Sequence, residues 1–73
     1  MRVSRWPSTK ARQVLRALKS IGWKEKVTKG SSHIQLIHPA RGEYTWAFHD
    51  SEELGPVMLS KIAKKTGLTP EDL

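Results

Sequence analysis

The spacing of apolar residues changes near residue 22, and this change constrains the fold more than any other feature of the sequence. Between residues 11 and 21 the apolar residues recur at helical intervals, and they are Ala11, Val14, Leu15, Leu18 and Ile21. This spacing predicts an amphipathic helix that Ser8 or Thr9 caps and that Gly22 ends. From Trp23 to His38 apolar and polar residues alternate, which is typical of half-buried strands.

Two turn-forming segments divide the rest of this region into three strands. Residues 29–32 (Lys-Gly-Ser-Ser) form the first turn and residues 39–42 (Pro-Ala-Arg-Gly) form the second, and a third strand is predicted from Glu43 to Phe48. A second helix is predicted after Gly55-Pro56, since proline suits the first turn of a helix. Its apolar stripe consists of Met58, Leu59, Ile62 and Ala63.

This order of elements predicts an α+β fold of the plan α-β-β-β-α. The three-stranded antiparallel sheet has both helices on one face, and its other face is open to solvent or a ligand. Within the sheet, Trp23 is predicted to lie in the core. The pattern leaves open whether Trp46, with Tyr44 and Phe48, lines the core or stacks bases on the open face.

The charge of the chain predicts a polyanionic or acidic partner. Thirteen Lys and Arg residues stand against seven Asp and Glu residues, and the formal net charge is +6. The chain contains no cysteine and no apolar run long enough to span a membrane, so we expect a cytoplasmic protein with no membrane partner, no thiolate metal site and no cofactor.

Several segments, in this order along the chain, resemble the HicA (YcfA-like) toxin family over residues 8–73. They are Gly22-Trp23, residues 29–36, Phe48-His49, residues 52–54, residues 59–62 and residues 66–69. The most specific is Gly30-Ser31-Ser32-His33, a histidine that follows a Gly-Ser turn with one residue between them. The chain departs from the family at Ala47, where a proline usually precedes a second histidine by two residues.

The resemblance implies a double-stranded-RNA-binding-domain-like fold, mRNA interferase activity and inhibition by a HicB-like antitoxin. It also predicts that residues 8–73 form a single HicA-like domain, with residues 1–7 as a basic N-terminal arm. We therefore expect the toxin of a type II toxin–antitoxin system, active as a metal-independent endoribonuclease on mRNA. Two alternatives stay open: a non-catalytic RNA-binding module of the same fold, and a protein-interaction domain with a basic face.

The candidate catalytic residue is His33, because histidine exchanges protons near neutral pH, as RNA cleavage without a metal requires. Strand alternation places Gln35, Lys24 and Lys26 on the same face as His33, where they would contact RNA. His49 is a possible second proton-transfer group, or a residue that orients the acidic segment after it, or an ordinary strand-end histidine.

Further RNA-binding candidates lie in the first turn and on the first helix. In the turn they are Lys29, Gly30, Ser31 and Ser32, which either contact a phosphate or simply form the turn. On the helix they are Arg12 and Arg16, with Lys19 beside them. This cationic stripe is expected to lie on the side of the domain opposite His33. The three histidines do not share one face of the sheet, so no metal site is predicted.

Overall fold

The computed structural model describes residues 6–26 and 33–73. The elements in chain order are β1 (Thr9–Lys10), α1 (Ala11–Ser20), β2 (Lys24–Lys26), β3 (Ile34–His38), β4 (Gly42–Trp46), β5 (Glu53–Leu54), α2 (Pro56–Thr66) and a final 3₁₀ turn (Pro70–Asp72). Strands β2, β3 and β4 form an antiparallel sheet in that order, and β1 pairs with β5 in a separate two-stranded sheet. The predicted α+β plan is confirmed, and the small second sheet is an addition to it.

The register of the three-stranded sheet decides which side chains face the helices. Leu36 pairs with Tyr44 and Ile34 pairs with Trp46, and Leu36 and Trp46 are almost completely buried. Cross-strand partners share a face, so these four side chains all point toward the helices. The open face therefore carries the alternate residues of each strand.

Both helices contribute to one hydrophobic core on that face of the sheet. Its buried members are Trp6, Ala11, Val14, Leu15, Ala17, Leu18, Trp23, Leu36, Trp46, Leu54, Leu59, Ile62 and Leu68. Trp23 is in the core as predicted. Trp6 is also a core residue, at 9% exposure. The predicted basic arm stays a prediction, because residues 1–5 lie outside the described part of the chain.

The N-terminus of α1 is held by distant backbone groups and not by the predicted side-chain cap. The amide of Ala11 donates to the carbonyl of Glu52 at 2.8 Å, and the amide of Arg12 donates to that of Asp50 at 3.3 Å. The Thr9 hydroxyl donates instead to the carbonyl of Pro7. The cap prediction is wrong because β1 extends the chain through Thr9 and Lys10, and their pairing with β5 brings residues 50–52 to the first turn of α1.

The C-terminus of α1 ends as the sequence predicts. The amide of Trp23 donates to Leu18 and that of Gly22 to Lys19, which is the Schellman arrangement of hydrogen bonds, and Gly22 has a φ of +111°. The indole Nε1 of Trp23 then donates to the carbonyl of Thr66 at 3.1 Å. This buried bond joins the end of α1 to the last turn of α2.

Helix α2 differs from its prediction at one position. Leu59 and Ile62 are buried, as predicted, and Gly67 ends the helix in the left-handed conformation. Met58 is 38% exposed and does not belong to the buried stripe. Thr66 takes the next buried position, and its hydroxyl donates a hydrogen bond to the carbonyl of Ile62 at 2.8 Å.

Candidate functional site

His33 is exposed and stands directly before the first residue of β3. That first residue, Ile34, pairs with Trp46, the last residue of β4. The chain therefore leaves β4 at the same end of the sheet at which β3 begins. His49, three residues after Trp46, lies at this end too, so the fold brings the two candidate histidines to one end of the sheet.

The segment that carries His49 is hydrogen-bonded to the first turn of α1. The amide of Glu52 donates to the His49 carbonyl at 2.9 Å, and the Glu52 carboxylate accepts from the His49 amide at 3.3 Å. The carbonyls of Asp50 and Glu52 in turn accept from the first amides of α1. His49 is exposed in this turn, so its side chain is accessible to a ligand at the sheet end.

The open face of the sheet carries a network of polar side chains around Gln35. The Gln35 Nε2 donates to Glu43 Oε1 at 3.1 Å, and its Oε1 accepts from the Thr45 hydroxyl at 3.0 Å. Lys26 Nζ lies 3.6 Å from the Glu43 carboxylate. A phosphate that approaches Gln35 or Lys26 must compete with these neighbours, although an exposed ion pair of this kind is weak.

Lys26 and Lys24 lie at different distances from His33. Lys26 pairs with Gln35, two residues along β3 from His33, whereas Lys24 pairs with Ile37, four residues along. At about 3.3 Å per residue, Ile37, the partner of Lys24, lies about 13 Å along the strand from His33. The fold therefore brings Lys26 near the candidate catalytic histidine and does not bring Lys24 there.

A groove of about 460 Å³ lies between α1 and this end of the sheet. Its lining residues are Arg12, Leu15, Arg16, Lys19, Glu25, Ile34 and Asp50. Ile34 and Asp50 directly follow His33 and His49 in the chain, so each histidine lies one residue, about 3.8 Å between Cα atoms, from a residue that lines the groove.

The groove brings the cationic stripe of α1 to Ile34, whereas the expected position of the His33 side chain on the opposite face stays a prediction. At 3.6 residues per turn, Arg16 lies about 170° from the middle of the buried stripe, nearly opposite it, whereas Lys19 and Arg12 lie only about 110° and 130° away. They flank it on the side of Leu15, which reaches the same groove. The long side chains of Lys19 and Arg12 therefore line the groove next to the end of the sheet at which β3 begins.

Arg12 and Arg16 are the cations of the groove that form no ion pair with a described residue. Among the described residues the ion pairs are Lys19 with Glu25 and Lys26 with Glu43. Glu25 is thus neutralised by Lys19 within the groove. Arg12 and Arg16 are both exposed, and within the described ranges no carboxylate forms an ion pair with either of them.

His38 has a structural environment that differs from those of the other two histidines. Its Nδ1 accepts from the amide of Ala40 at 3.0 Å, and its Nε2 lies 3.1 Å from the carbonyl of Ile21. Since a carbonyl can only accept, this pair of contacts fits the neutral tautomer with hydrogen on Nε2. The ring also packs against Trp23 at 5.1 Å between centroids, so His38 joins the second turn to the end of α1.

The aromatic residues of β4 face the core and not the open face. Trp46 packs edge-on against Phe48 at 5.0 Å, and Tyr44 packs against Trp23 at 6.4 Å between centroids. In the strands as described, the open face presents Lys24, Lys26, Gln35, Ile37, Glu43 and Thr45. These strand positions offer no aromatic ring on which a base could stack.

Four predicted contact residues lie outside the described ranges, and they are Lys29, Gly30, Ser31 and Ser32. In residues 6–26 and 33–73, no group of three or more His, Asp or Glu residues could hold a metal ion. No helix in these ranges has both the length and the apolar character needed to cross a membrane.

Sequence reasoning did not single out three members of this region, Glu43, Thr45 and Asp50. Glu43 and Thr45 alternate with Tyr44 and Trp46 along β4. An inward orientation of the two aromatic residues therefore implies that Glu43 and Thr45 lie on the open face. No sequence signal identifies Asp50, because its position depends on the pairing of β1 with β5.

Comparisons with known proteins give one match. A family model described as the HicA toxin of bacterial toxin–antitoxin systems matches residues 11–68. Searches of curated proteins and of solved structures each found no match. The matched residues extend from the first residue of α1 to the residue after Gly67, and they include the groove and both candidate histidines.

Proposed function

Since the chain belongs to the HicA family, the toxins of bacterial toxin–antitoxin systems, we propose that it is a metal-independent endoribonuclease that cleaves mRNA. His33 is the proposed catalytic residue. The observation that carries the proposal is the position of His33, exposed at the end of the sheet and one residue from the arginine-lined groove. A proton-transfer group with cations nearby is the combination that a phosphodiester requires, and Lys26 on the open face and the arginines of the groove are the candidate cations.

The proposed chemistry is a proton transfer at the cleaved phosphodiester. When an oxygen nucleophile, the ribose 2′-hydroxyl or a water, attacks the phosphorus, its proton must go to a base, and the departing 5′-oxygen must receive a proton as the P–O bond breaks. An imidazole performs either step, because both of its protonation states are accessible near neutral pH. His33 takes one of these roles, and His49, at the same end of the sheet, is the candidate for the other.

The cations beside His33 would stabilise the negative charge that develops on the phosphoryl oxygens. Lys26 is the nearest lysine on the open face by strand register. Lys29 and the turn residues Gly30, Ser31 and Ser32 precede His33 in the chain and remain proposed phosphate contacts. Gln35 becomes available only if RNA displaces Glu43 or Thr45 from its amide.

A toxin of this family has an antitoxin partner, and we propose that the partner is HicB-like and acidic. The net charge of +6 supports an acidic partner. A chain of 73 residues buries only about 60–65% of its unfolded surface, so a bound partner would also add to its stability. In this proposal the antitoxin covers the end of the sheet at which His33 stands.

The test compares wild type with His33→Ala during induced expression, with growth and transcript integrity followed together. Loss of a general acid or base lowers the cleavage rate by about 10²- to 10⁴-fold, so growth should recover and transcripts should stay intact. Lys61→Ala is the matched control, because it removes an exposed side chain from α2. Circular dichroism of the purified variants verifies that both are folded.

Two further measurements complete the test. Cleavage of a labelled RNA by the purified protein should continue in the presence of a chelator, and His49→Ala should reduce it by less than His33→Ala does. Undiminished cleavage by folded His33→Ala would remove the catalytic assignment. RNA binding without cleavage by the wild type would instead favour the non-catalytic RNA-binding module.

A further inference from the structure

We propose that the groove between α1 and the sheet end binds single-stranded RNA next to the cleaved phosphodiester, with Arg12 and Arg16 holding its phosphates. The proposal rests on the proposed function, since it names the substrate subsite of the same active region. It adds phosphate contacts from α1 to those proposed above for Lys26 and Lys29.

The size and lining of the groove fit a nucleotide of a single strand. Its volume of about 460 Å³ lies in the range of small-ligand sites. Leu15 and Ile34 give it an apolar floor against which a base or ribose can pack. Single-stranded RNA presents unstacked bases that can enter such a site, whereas the bases of a duplex are held in its stack.

The charges of the groove favour a phosphate beside its two arginines. Arg12 and Arg16 are four residues apart on α1, so they are neighbours on the helix surface, separated by a rise of about 6 Å. A planar guanidinium with several donors matches phosphate oxygens and binds them in pairs. Neither arginine is engaged by a carboxylate of the described residues, and Lys19 neutralises Glu25.

Asp50 supports RNA over an acidic protein segment as the occupant. Its carboxylate repels a phosphate and accepts hydrogen bonds from the amino group of a base, so it directs the backbone toward the arginines and the base toward itself. An acidic peptide would bring further carboxylates against Asp50 and Glu25. Ile34 directly follows His33 in the chain, so the groove lies next to the backbone of the proposed catalytic residue.

The experiment measures binding of a fluorescein-labelled single-stranded RNA of mixed sequence to His33→Ala protein, which carries either Arg12→Gln/Arg16→Gln or Lys64→Gln/Lys65→Gln. Both pairs remove two positive charges, and Lys64 and Lys65 are exposed on α2 away from the groove. Each phosphate contact contributes about 0.7 to the salt slope for single strands. The arginine pair should lower the slope by about 1.4 and the affinity by about tenfold near 0.15 M salt.

The lysine pair should change both quantities much less. Equal effects of the two pairs would overturn the proposal, since they would mean that only net charge matters. A hairpin duplex that binds as tightly as the single strand would also overturn it, as would a glutamate-rich peptide that occupies the groove in preference to RNA.

The proposed function can fail separately. It fails if His33→Ala in the otherwise wild-type chain cleaves RNA normally, and in that case the arginine result still stands. If His33→Ala abolishes cleavage while the arginine pair behaves like the lysine pair, only the subsite is wrong.

Discussion

Trp23 and Trp46 provide a matched test of what a single buried hydrogen bond contributes to this fold. Both side chains are 1% exposed. The Trp23 Nε1 donates to the carbonyl of Thr66, whereas the Trp46 Nε1 is buried with no hydrogen-bond partner in the described structure. Replacement of each by Phe removes about the same volume, so the difference between the two variants isolates the hydrogen bond.

The expected losses follow from the surroundings of each indole. Trp→Phe in a tightly packed site costs about 1 kcal/mol for lost packing, scaled from the 3–5 kcal/mol of full truncation to Ala. Trp23→Phe also leaves the buried Thr66 carbonyl without its indole donor, which adds about 1–3 kcal/mol. Trp46→Phe removes a donor that is already unsatisfied, so relief of its desolvation cost offsets most of the packing loss.

We therefore expect Trp23→Phe to lower the free energy of unfolding by about 2 kcal/mol more than Trp46→Phe does. For a chain of this length that difference corresponds to roughly 8–16 °C in Tm. The assay is urea unfolding followed by far-ultraviolet circular dichroism, because tryptophan fluorescence changes with the substitutions themselves. Equal losses, or a larger loss for Trp46→Phe, would refute the reasoning.

Two further predictions concern glycine geometry and alkaline pH. Gly67→Ala should lower the free energy of unfolding by about 1–2 kcal/mol, because Gly67 has a φ of +79° and L residues are strained there. Gly55→Ala is the control, because Gly55 has a φ of −87° and no atom lies near the carbon that alanine would add; its free energy of unfolding should stay within about 0.5 kcal/mol of wild type. Urea unfolding measures both variants, and equal losses would contradict the Gly67 prediction. Burial raises the pKa of the Tyr44 hydroxyl, so its contribution to stability is intact below its ordinary value of 10.0 and is lost as the pH rises through the higher folded value. Tyr44→Phe should weaken the alkaline loss of stability, as measured by urea unfolding at several pH values, and an unchanged pH dependence would argue against this origin.

The main elements were predictable because local patterns dominate them. The helical spacing from Ala11 to Leu18 and the stop at Gly22 depend only on neighbouring residues, and the structure confirms both. Strand alternation likewise placed Lys26 and Gln35 on one face, and the register confirms their pairing. The alternation of β4 also requires Tyr44 and Trp46 to share a face of the sheet. It does not decide which face, because that depends on their partners in β3.

The parts that escaped prediction depend on contacts between distant residues. Threonine commonly caps helices, yet Thr9 instead pairs as a strand residue with Leu54, forty-five positions later. The arginines of α1 and the start of β3 share a groove because of how the helix lies across the sheet. Such an arrangement is a tertiary property, and no periodicity of Arg12 or Arg16 encodes it.

The short pairing of β1 with β5 has a consequence during protein synthesis. A ribosome that has translated the first half of the message has already made Arg12, Arg16 and His33, but not Glu53 and Leu54, which hold the start of the first helix against the sheet end. The two-stranded sheet at the start of the first helix therefore forms only after Glu53 and Leu54 have been made.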